Sequence, residues 1–270
     1  MPGYGKIAAH DDTEEPVRIK YIIPFPFDDE GIANRAQQIP KEILGPDTDV
    51  ECVAVRNSVT AVTDYYESLL FDMYIAEAAM RAEDEGYDAV VMDTVSDSGL
   101  FAMRSRLNIL ALGPGLVSYA VATMLGKRFS IITMWDKWRH IYEKNLDIYH
   151  LWAKCASIRA VNIPPNVEAL FEGKEEEMFA KLTAEAQKAI DEDRADIILL
   201  GSTTMHQAGD YMSKHLPCPV INPGPVAIKM AEALVQLGLK HSKVAFPDPP
   251  LIQDEKFFSL VGADGKTRGA

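Results

Sequence analysis

The sequence predicts an α/β fold of two pseudo-symmetric halves, each a mostly parallel sheet flanked by helices, with a site between them. Three observations predict it. Short apolar runs alternate with stretches of helical spacing along the chain, the pattern of strands joined by crossover helices. One apolar run, Asp88 to Leu100 (DAVVMDTVSDSGL), ends in hydroxyl and carboxylate residues, and its pattern returns at Asp196 to Gly209 (DIILLGSTTMHQAG). The spacing also repeats. Asp88 and Asp196 are 108 positions apart (196 − 88), as are Thr94 and Ser202 (202 − 94), while Arg18 and Arg128 are 110 apart (128 − 18).

The elements follow in order. Residues 1–16 read as a loosely attached lead. RIKYII from Arg18 is a strand, stopped by Pro24 and Pro26, which cannot donate to a ladder. Ile32 to Leu44 has helical spacing with Pro40 inside it, and Asp49 to Val55 is a second strand. Tyr65 to Glu85 is a long helix with Gly86 just past its end. The Asp88 strand follows, then a helix from Ser98 to Leu107 and a short strand from Ile109 to Leu112. The pattern then restarts: helix 117–125, strand 128–134, helix 138–152, strand 157–161, helix 175–192, the Asp196 strand, a short strand 219–222, and a helix to Leu239. This gives a first half of residues 17–115 plus 222–243, a second half of 116–221, and a C-terminal tail, 244–270, packed on the body or on a partner subunit.

The totals bound the function. At 270 residues and 47% hydrophobic the chain can bury a large core, and a net charge of −13 argues against nucleic acid or an anionic membrane as partner. The three cysteines, Cys52, Cys155 and Cys218, form no short pair and suggest a reducing compartment. There is no CxxC or HExxH, so no standard zinc motif. The polar start lacks a signal-peptide core, and no run reaches the ~18–20 apolar residues of a membrane span. A cytoplasmic protein is expected.

DAVVMDTVSDSGL, KRFSIIT from Lys127, LLGSTTM from Leu199 and PVINPGPVAIKMAEALVQLGL from Pro219 resemble the aspartate/glutamate racemase superfamily, in its hydantoin racemase branch. The resemblance covers roughly residues 18–239. It implies two α/β halves, each placing one cysteine after a buried strand, no cofactor, a small-molecule substrate and a homo-oligomer. Thr94 and Ser202 stand where those cysteines are expected. The loop after the first strand, where the family carries asparagine and serine, reads Ile23-Pro24-Phe25-Pro26-Phe27.

Without thiols the two-cysteine mechanism is closed, because Ser and Thr hydroxyls are far weaker acids than Cys. Thr94 and Ser202 read instead as donors that hold an oxyanion or carboxylate, with Ser96, Ser98, Thr203 and Thr204 beside them. The bases on offer are Asp93, Asp97, His206 and Asp210. His206 lies four residues after Ser202, on the first turn of a helix, and titrates near neutrality; it can equally pack on that helix start. Asp97 is a binding residue or an N-cap of the helix near Ser98. Phe25, Phe27 and Tyr119 line the pocket or pack in the core. Three functions fit: an isomerase or lyase acting beside a carbonyl of a small carboxylate or cyclic amide, a hydrolase opening a cyclic amide or ester with Ser202 or an activated water attacking, and a binder of a small carboxylate or imide without turnover.

Overall fold

The computed structural model describes residues 16–164 and 175–262. The expected lead up to residue 15 and the end of the tail, 263–270, lie outside the described residues. Two four-stranded sheets carry the fold. The first holds β1 (Val17–Ile23), β2 (Thr48–Ala54), β3 (Ala89–Met92) and β4 (Leu110–Leu112), in the order β2-β1-β3-β4. The second holds β5 (Phe129–Thr133), β6 (Cys155–Ala160), β7 (Ile197–Leu200) and β8 (Val220–Ile221), in the order β6-β5-β7-β8. Every pairing is parallel.

The repeat seen in the sequence is a repeat of register. Ile19 lies opposite Ala89 and Ile22 opposite Met92; Phe129 lies opposite Ile197 and Ile132 opposite Leu200. The aspartates and arginines that marked the repeat are the clamps that set it. Asp88 accepts from the Arg18 N–H at 2.8 Å, and Asp196 accepts from the Arg128 N–H at 3.0 Å. Each arginine also donates Nη1 to carbonyls just ahead of its partner strand, those of Glu85 and Gly86 in one half and of Asp193 in the other. β3 and β7 are buried at every residue, as central parallel strands flanked on both faces are.

The helices are α1 (Asp29–Ala36), α2 (Tyr65–Ala79), α3 (Leu100–Arg106), α4 (Pro114–Leu125), α5 (Arg139–Ile148), α6 (Glu175–Asp191), α7 (His206–His215), α8 (Pro223–Gln236) and α9 (Asp254–Leu260). One apolar cluster runs from Phe71 and Ile75 on α2 through Met92 to Phe129, Ile131 and Leu199, so the two halves share a core. α8 leaves the second sheet and packs on β1, β3, β4 and α4. Its Glu232, fully buried, accepts from the Gly45 N–H and the Thr48 hydroxyl, both at 2.6 Å, and pairs with Lys229.

Several boundaries differ from the sequence reading. α1 begins at Asp29, because Asp28 caps it by accepting from the Gly31 N–H, and ends at Ala36, before Pro40. α2 stops at Ala79, and turns carry the chain to Gly86, which has φ +80°. The tail shows no periodicity in sequence, yet it contains α9. α9 is short and held from outside: Phe258 packs with Ala76 and Met80, and Arg106 pairs with Asp254 at 2.7 Å. Ahead of it, Lys243 donates to the carbonyls of Arg104, Ser105 and Leu107 at the end of α3. The described part of the tail therefore packs on the body.

The Glu232 contacts generate a prediction. Glu232→Ala strands two half-buried donors and leaves a cavity, so urea denaturation is expected to show a loss of about 2–4 kcal/mol. Lys229→Met, which leaves the buried Glu232 carboxylate without its cation, is expected to lose about 1–3 kcal/mol.

Candidate active site

In each sheet the strand order reverses at one place, between β1 and β3 in the first and between β5 and β7 in the second. Crevices open beyond the carboxyl ends of strands at such points. Thr94 follows β3 and Ser202 follows β7, so both stand at these openings, and both are partly exposed. The two ends touch: Thr203 donates its hydroxyl to the Asp93 carbonyl at 3.0 Å, across the junction of the halves.

The two hydroxyls are built alike. Thr94 Oγ1 shares a hydrogen bond with Ser96 Oγ at 3.0 Å and accepts from the Ser96 N–H at 3.3 Å. Ser202 Oγ shares one with Thr204 Oγ1 at 2.9 Å and accepts from the Thr204 N–H at 3.3 Å. The second residue repeats at the same interval, Ser96 to Thr204 (204 − 96 = 108). Ser96 continues the first chain to Ser98 at 2.8 Å. Each turn thus holds two hydroxyls at its strand end, a donor set for an oxyanion or carboxylate.

Asp93, expected among the catalytic groups, is placed otherwise. Its carboxylate is 4% exposed and takes three donors: Tyr21 OH at 2.6 Å, Arg35 Nε at 2.6 Å and Arg35 Nη2 at 2.7 Å. A carboxylate held by a bidentate guanidinium and a phenol is a tether, not a free base. Arg35 also donates to the Thr203 carbonyl at 3.0 Å, so the ion pair ties both strand ends together. Burial acts against the Arg35 charge, but Asp93 outweighs it and raises the guanidinium pKa above its ordinary value. Burial and Asp93 likewise raise Tyr21. Sequence reading missed Arg35 and Tyr21, because one lies in a short polar helix and the other in an apolar strand, each far from Asp93 in the chain.

Asp97 is also redirected. Its carboxylate accepts from the N–H groups of Gly115 at 2.8 Å and Leu116 at 2.7 Å, and from Tyr149 OH at 2.8 Å. It therefore caps α4, not the helix that follows it; α3 begins after Gly99, which has φ +71°. Asp97 itself has φ +52°, a left-handed conformation that aspartate tolerates better than most residues. Glycines make room for it: a Cβ on Gly113 would sit 2.1 Å from Asp97 Oδ1. Burial pushes its pKa up to about 6 against the pull of Tyr149 and the two N–H groups.

His206 opens α7, and its Nδ1 is buried without a hydrogen-bond partner. Burial first, and Arg35 second, lower its pKa; Asp210 and Asp93 pull the other way. The positive end of the helix adds to the lowering, so the neutral imidazole is favoured. Asp210 is exposed one turn along. Tyr142, another residue the sequence did not reveal, donates to the Gly201 carbonyl at 2.6 Å and shares a bond with Thr133 at 2.7 Å. It fixes the backbone just before Ser202. A Cβ on residue 201 would lie 2.7 Å from that phenol oxygen, which explains the glycine.

Tyr119 is a core residue, 3% exposed and stacked on Phe129 at 5.4 Å between centroids. Phe25 is half-buried against Phe71, and Phe27 is exposed beside it. Thr203 is buried, and Thr204 is exposed. The cysteines supply no ready thiolate: burial pushes Cys52 up to about 12 and Cys155 to about 11, and raises Cys218. Among the described residues, no group of three or more His, Cys, Asp or Glu side chains is arranged to hold a metal ion, and no helix is long and apolar enough to cross a membrane.

Two all-parallel α/β repeats with matched polar turns at adjoining strand ends define a pseudo-symmetric α/β protein with one site built from both halves. Comparison with known proteins gives the family. The model of the Asp/Glu/hydantoin racemase family matches residues 32–231, and the chain belongs to that family. The hydantoin racemase of Pseudomonas sp. (strain NS671) is 31% identical over 204 residues, covering 76% of this chain and 81% of the other. The structure of allantoin racemase from Klebsiella pneumoniae superposes with a TM-score of 0.77 at 28% identity, over 88% of this chain and 96% of that one. Arylmalonate decarboxylase shares the fold at TM-score 0.57 and 19% identity, over 80% of this chain and 92% of that one.

Two predictions follow from the buried carboxylates. Asp93→Asn and Arg35→Met each leave an uncompensated buried charge, an expected loss of about 3–5 kcal/mol on urea denaturation. The double variant is expected to lose clearly less than the sum; additive losses would contradict the tether. Because the folded-state pKa of Asp97 is raised, its contribution is fully present below the ordinary value of 3.8 and is lost as pH rises through about 6. Relative to Asp97→Asn, the unmodified chain is expected to lose on the order of 3 kcal/mol of stability over that interval, and parallel pH profiles would contradict it.

Proposed function

We propose that this chain is a cofactor-independent enzyme that moves a proton or a carboxyl group at a carbon beside a carbonyl, on a small carboxylate or cyclic amide. The observation that carries the reading is the pair of matched hydroxyl turns, Thr94–Ser96 and Ser202–Thr204, at strand ends joined by the Thr203–Asp93 bond. In this reading the turns hold the oxygen that becomes negative when the adjacent carbon loses a proton or carbon dioxide. Neutral His206 takes the proton at that carbon and, as the imidazolium so formed, returns it; after loss of carbon dioxide the carbanion takes its proton from a His206 imidazolium charged from solvent. Asp93, engaged by Arg35, acts only by holding the two ends in place.

Isomerase or lyase chemistry agrees better with the geometry than hydrolysis. A serine hydrolase needs its base on the nucleophile. Here Ser202 Oγ shares its hydrogen bond with Thr204, and His206 Nδ1 has no partner. One base on one face suits a lyase or a one-sided isomerase better than exchange on both faces. With Thr94 and Ser202 at the positions where the family resemblance expects cysteine, a racemase would need protons from groups other than thiols.

The test uses 5-substituted hydantoins, allantoin and 2-substituted malonates in heavy water. Deuterium entering the carbon beside the carbonyl without ring opening supports an isomerase. Release of carbon dioxide with deuterium uptake supports a lyase. Ring opening without exchange overturns the reading in favour of a hydrolase, and tight binding with no turnover overturns it in favour of a binding protein. His206→Asn is expected to lower kcat about 10²- to 10⁴-fold with unchanged circular dichroism. For proton abstraction the base must be neutral, so kcat/KM is expected to hold at high pH and fall as pH drops through a pKa below the usual 6.5. Thr94→Val and Ser202→Ala are each expected to lower kcat by about 10²- to 10³-fold. Full activity in both variants would remove the hydroxyl turns from the mechanism.

A further inference from the structure

A cavity of about 300 Å³ opens where α2, α3, α5 and α9 meet. It lies outside the strand-end site, and its lining includes none of Thr94, Ser202 or His206. The walls are mainly apolar, from Met73, Phe101, Ile148, Tyr149 and Phe257. Its size and lining match a pocket for a small ring-bearing molecule.

Two charged groups converge on it, Asp72 from α2 and Lys144 from α5. Asp72 Oδ1 accepts from the Gly99 N–H at 3.2 Å, which leaves acceptor capacity on the carboxylate. Lys144 donates one N–H to the Ser96 carbonyl at 3.0 Å, which leaves donor capacity on the ammonium. Asp97 also borders the cavity, but its carboxylate already serves Gly115, Leu116 and Tyr149. The free capacity is thus one acceptor and one cationic donor of opposite charge. A charged head would satisfy one and be repelled by the other. A neutral amide or urea head offers an oxygen to Lys144 and an N–H to Asp72.

We propose that this cavity is a second small-molecule site, taking a neutral planar amide or urea on an aromatic or apolar body. Occupancy couples to the strand-end turns through Lys144, because that ammonium holds the carbonyl of Ser96, whose hydroxyl pairs with Thr94. A head group that engages a free N–H of Lys144 fixes the ammonium, and with it the bond to the Ser96 carbonyl. The site itself does not depend on which reaction the strand ends perform.

The test measures binding of three probes of one shape, benzamide, benzoate and benzylamine, to the full chain by ligand-observed NMR and calorimetry. Benzamide is expected to bind at least about tenfold more tightly than either charged probe. Lys144→Met is expected to weaken it about tenfold, and Ala102→Trp, which fills the cavity from an exposed position on α3, to abolish it. His206→Asn is expected to leave it unchanged. The proposal is overturned if the three probes bind alike, if none binds at ~10 mM, or if benzamide binding survives Ala102→Trp. Loss of binding in His206→Asn would assign the ligand to the strand ends and overturn it too.

Discussion

The buried pair of Arg35 and Asp93 is the constraint on which the rest of this arrangement depends. Parallel strands end in unpaired backbone, and two such ends brought together from separate sheets have no ladder to hold them. The chain supplies the missing tie with a guanidinium whose fork grips one strand end through Asp93 and the other through the Thr203 carbonyl. Thr203 returns a bond to the Asp93 carbonyl, and Tyr21 holds the carboxylate from β1. Buried ion pairs seldom add net stability over a well-packed apolar replacement. What this pair adds is position, since Thr94 and Ser202 are the immediate neighbours of the residues it ties.

The two halves solve the same local problem with different residues. The position before Thr94 is Asp93, and the position before Ser202 is Gly201. In the first half a side chain leaves that position and is caught by Tyr21 and Arg35. In the second, Tyr142 reaches in from α5, takes the Gly201 carbonyl and fills the space a side chain would need. The outer clamps stayed alike, with Asp88 and Asp196 gripping the starts of β1 and β5. The repeat holds in the register clamps and in the hydroxyl turns and breaks at residues 93 and 201, where two facing carboxylates would need a cation for each.

This division decides what the sequence makes legible. Fold class and the repeat were readable, because buried parallel strands are continuous apolar runs and the register clamps recur at a fixed interval. The hydroxyl turns were readable for the same reason. The partners of Asp93 and Asp97 were not. Arg35, Tyr21 and Tyr149 lie far from them in the chain, and no local periodicity links a cation on α1 to a carboxylate after β3. Asp97 looked like a cap because it precedes a helix; it is one, but for α4, reached through the Gly113–Gly115 turn. Tyr119 was ambiguous because one aromatic on an apolar helix reads the same whether it faces a pocket or a core. α9 went unseen because its order comes from α2 and α3 and not from its own pattern.

The chemistry then narrows by elimination among groups of known state. Asp93 and Asp97 each hold three donors, and burial raises the three thiols, so none of these supplies a free base at the strand ends. Hydroxyls can donate to a forming negative charge but do not by themselves remove a proton from carbon. Of the bases the sequence offers, that leaves the exposed Asp210 and His206, whose neutral imidazole burial and Arg35 favour and to which the proposed reading gives the proton. The guanidinium that ties the strand ends therefore has a second effect under the proposed reading. It disfavours the charged imidazole before the proton is taken, which weakens the base, while its positive field favours the anion that forms beside it. Asp93 pairs with the same guanidinium and moderates both effects. The balance is consistent with a site whose work is to hold an anion, with one imidazole to manage its proton.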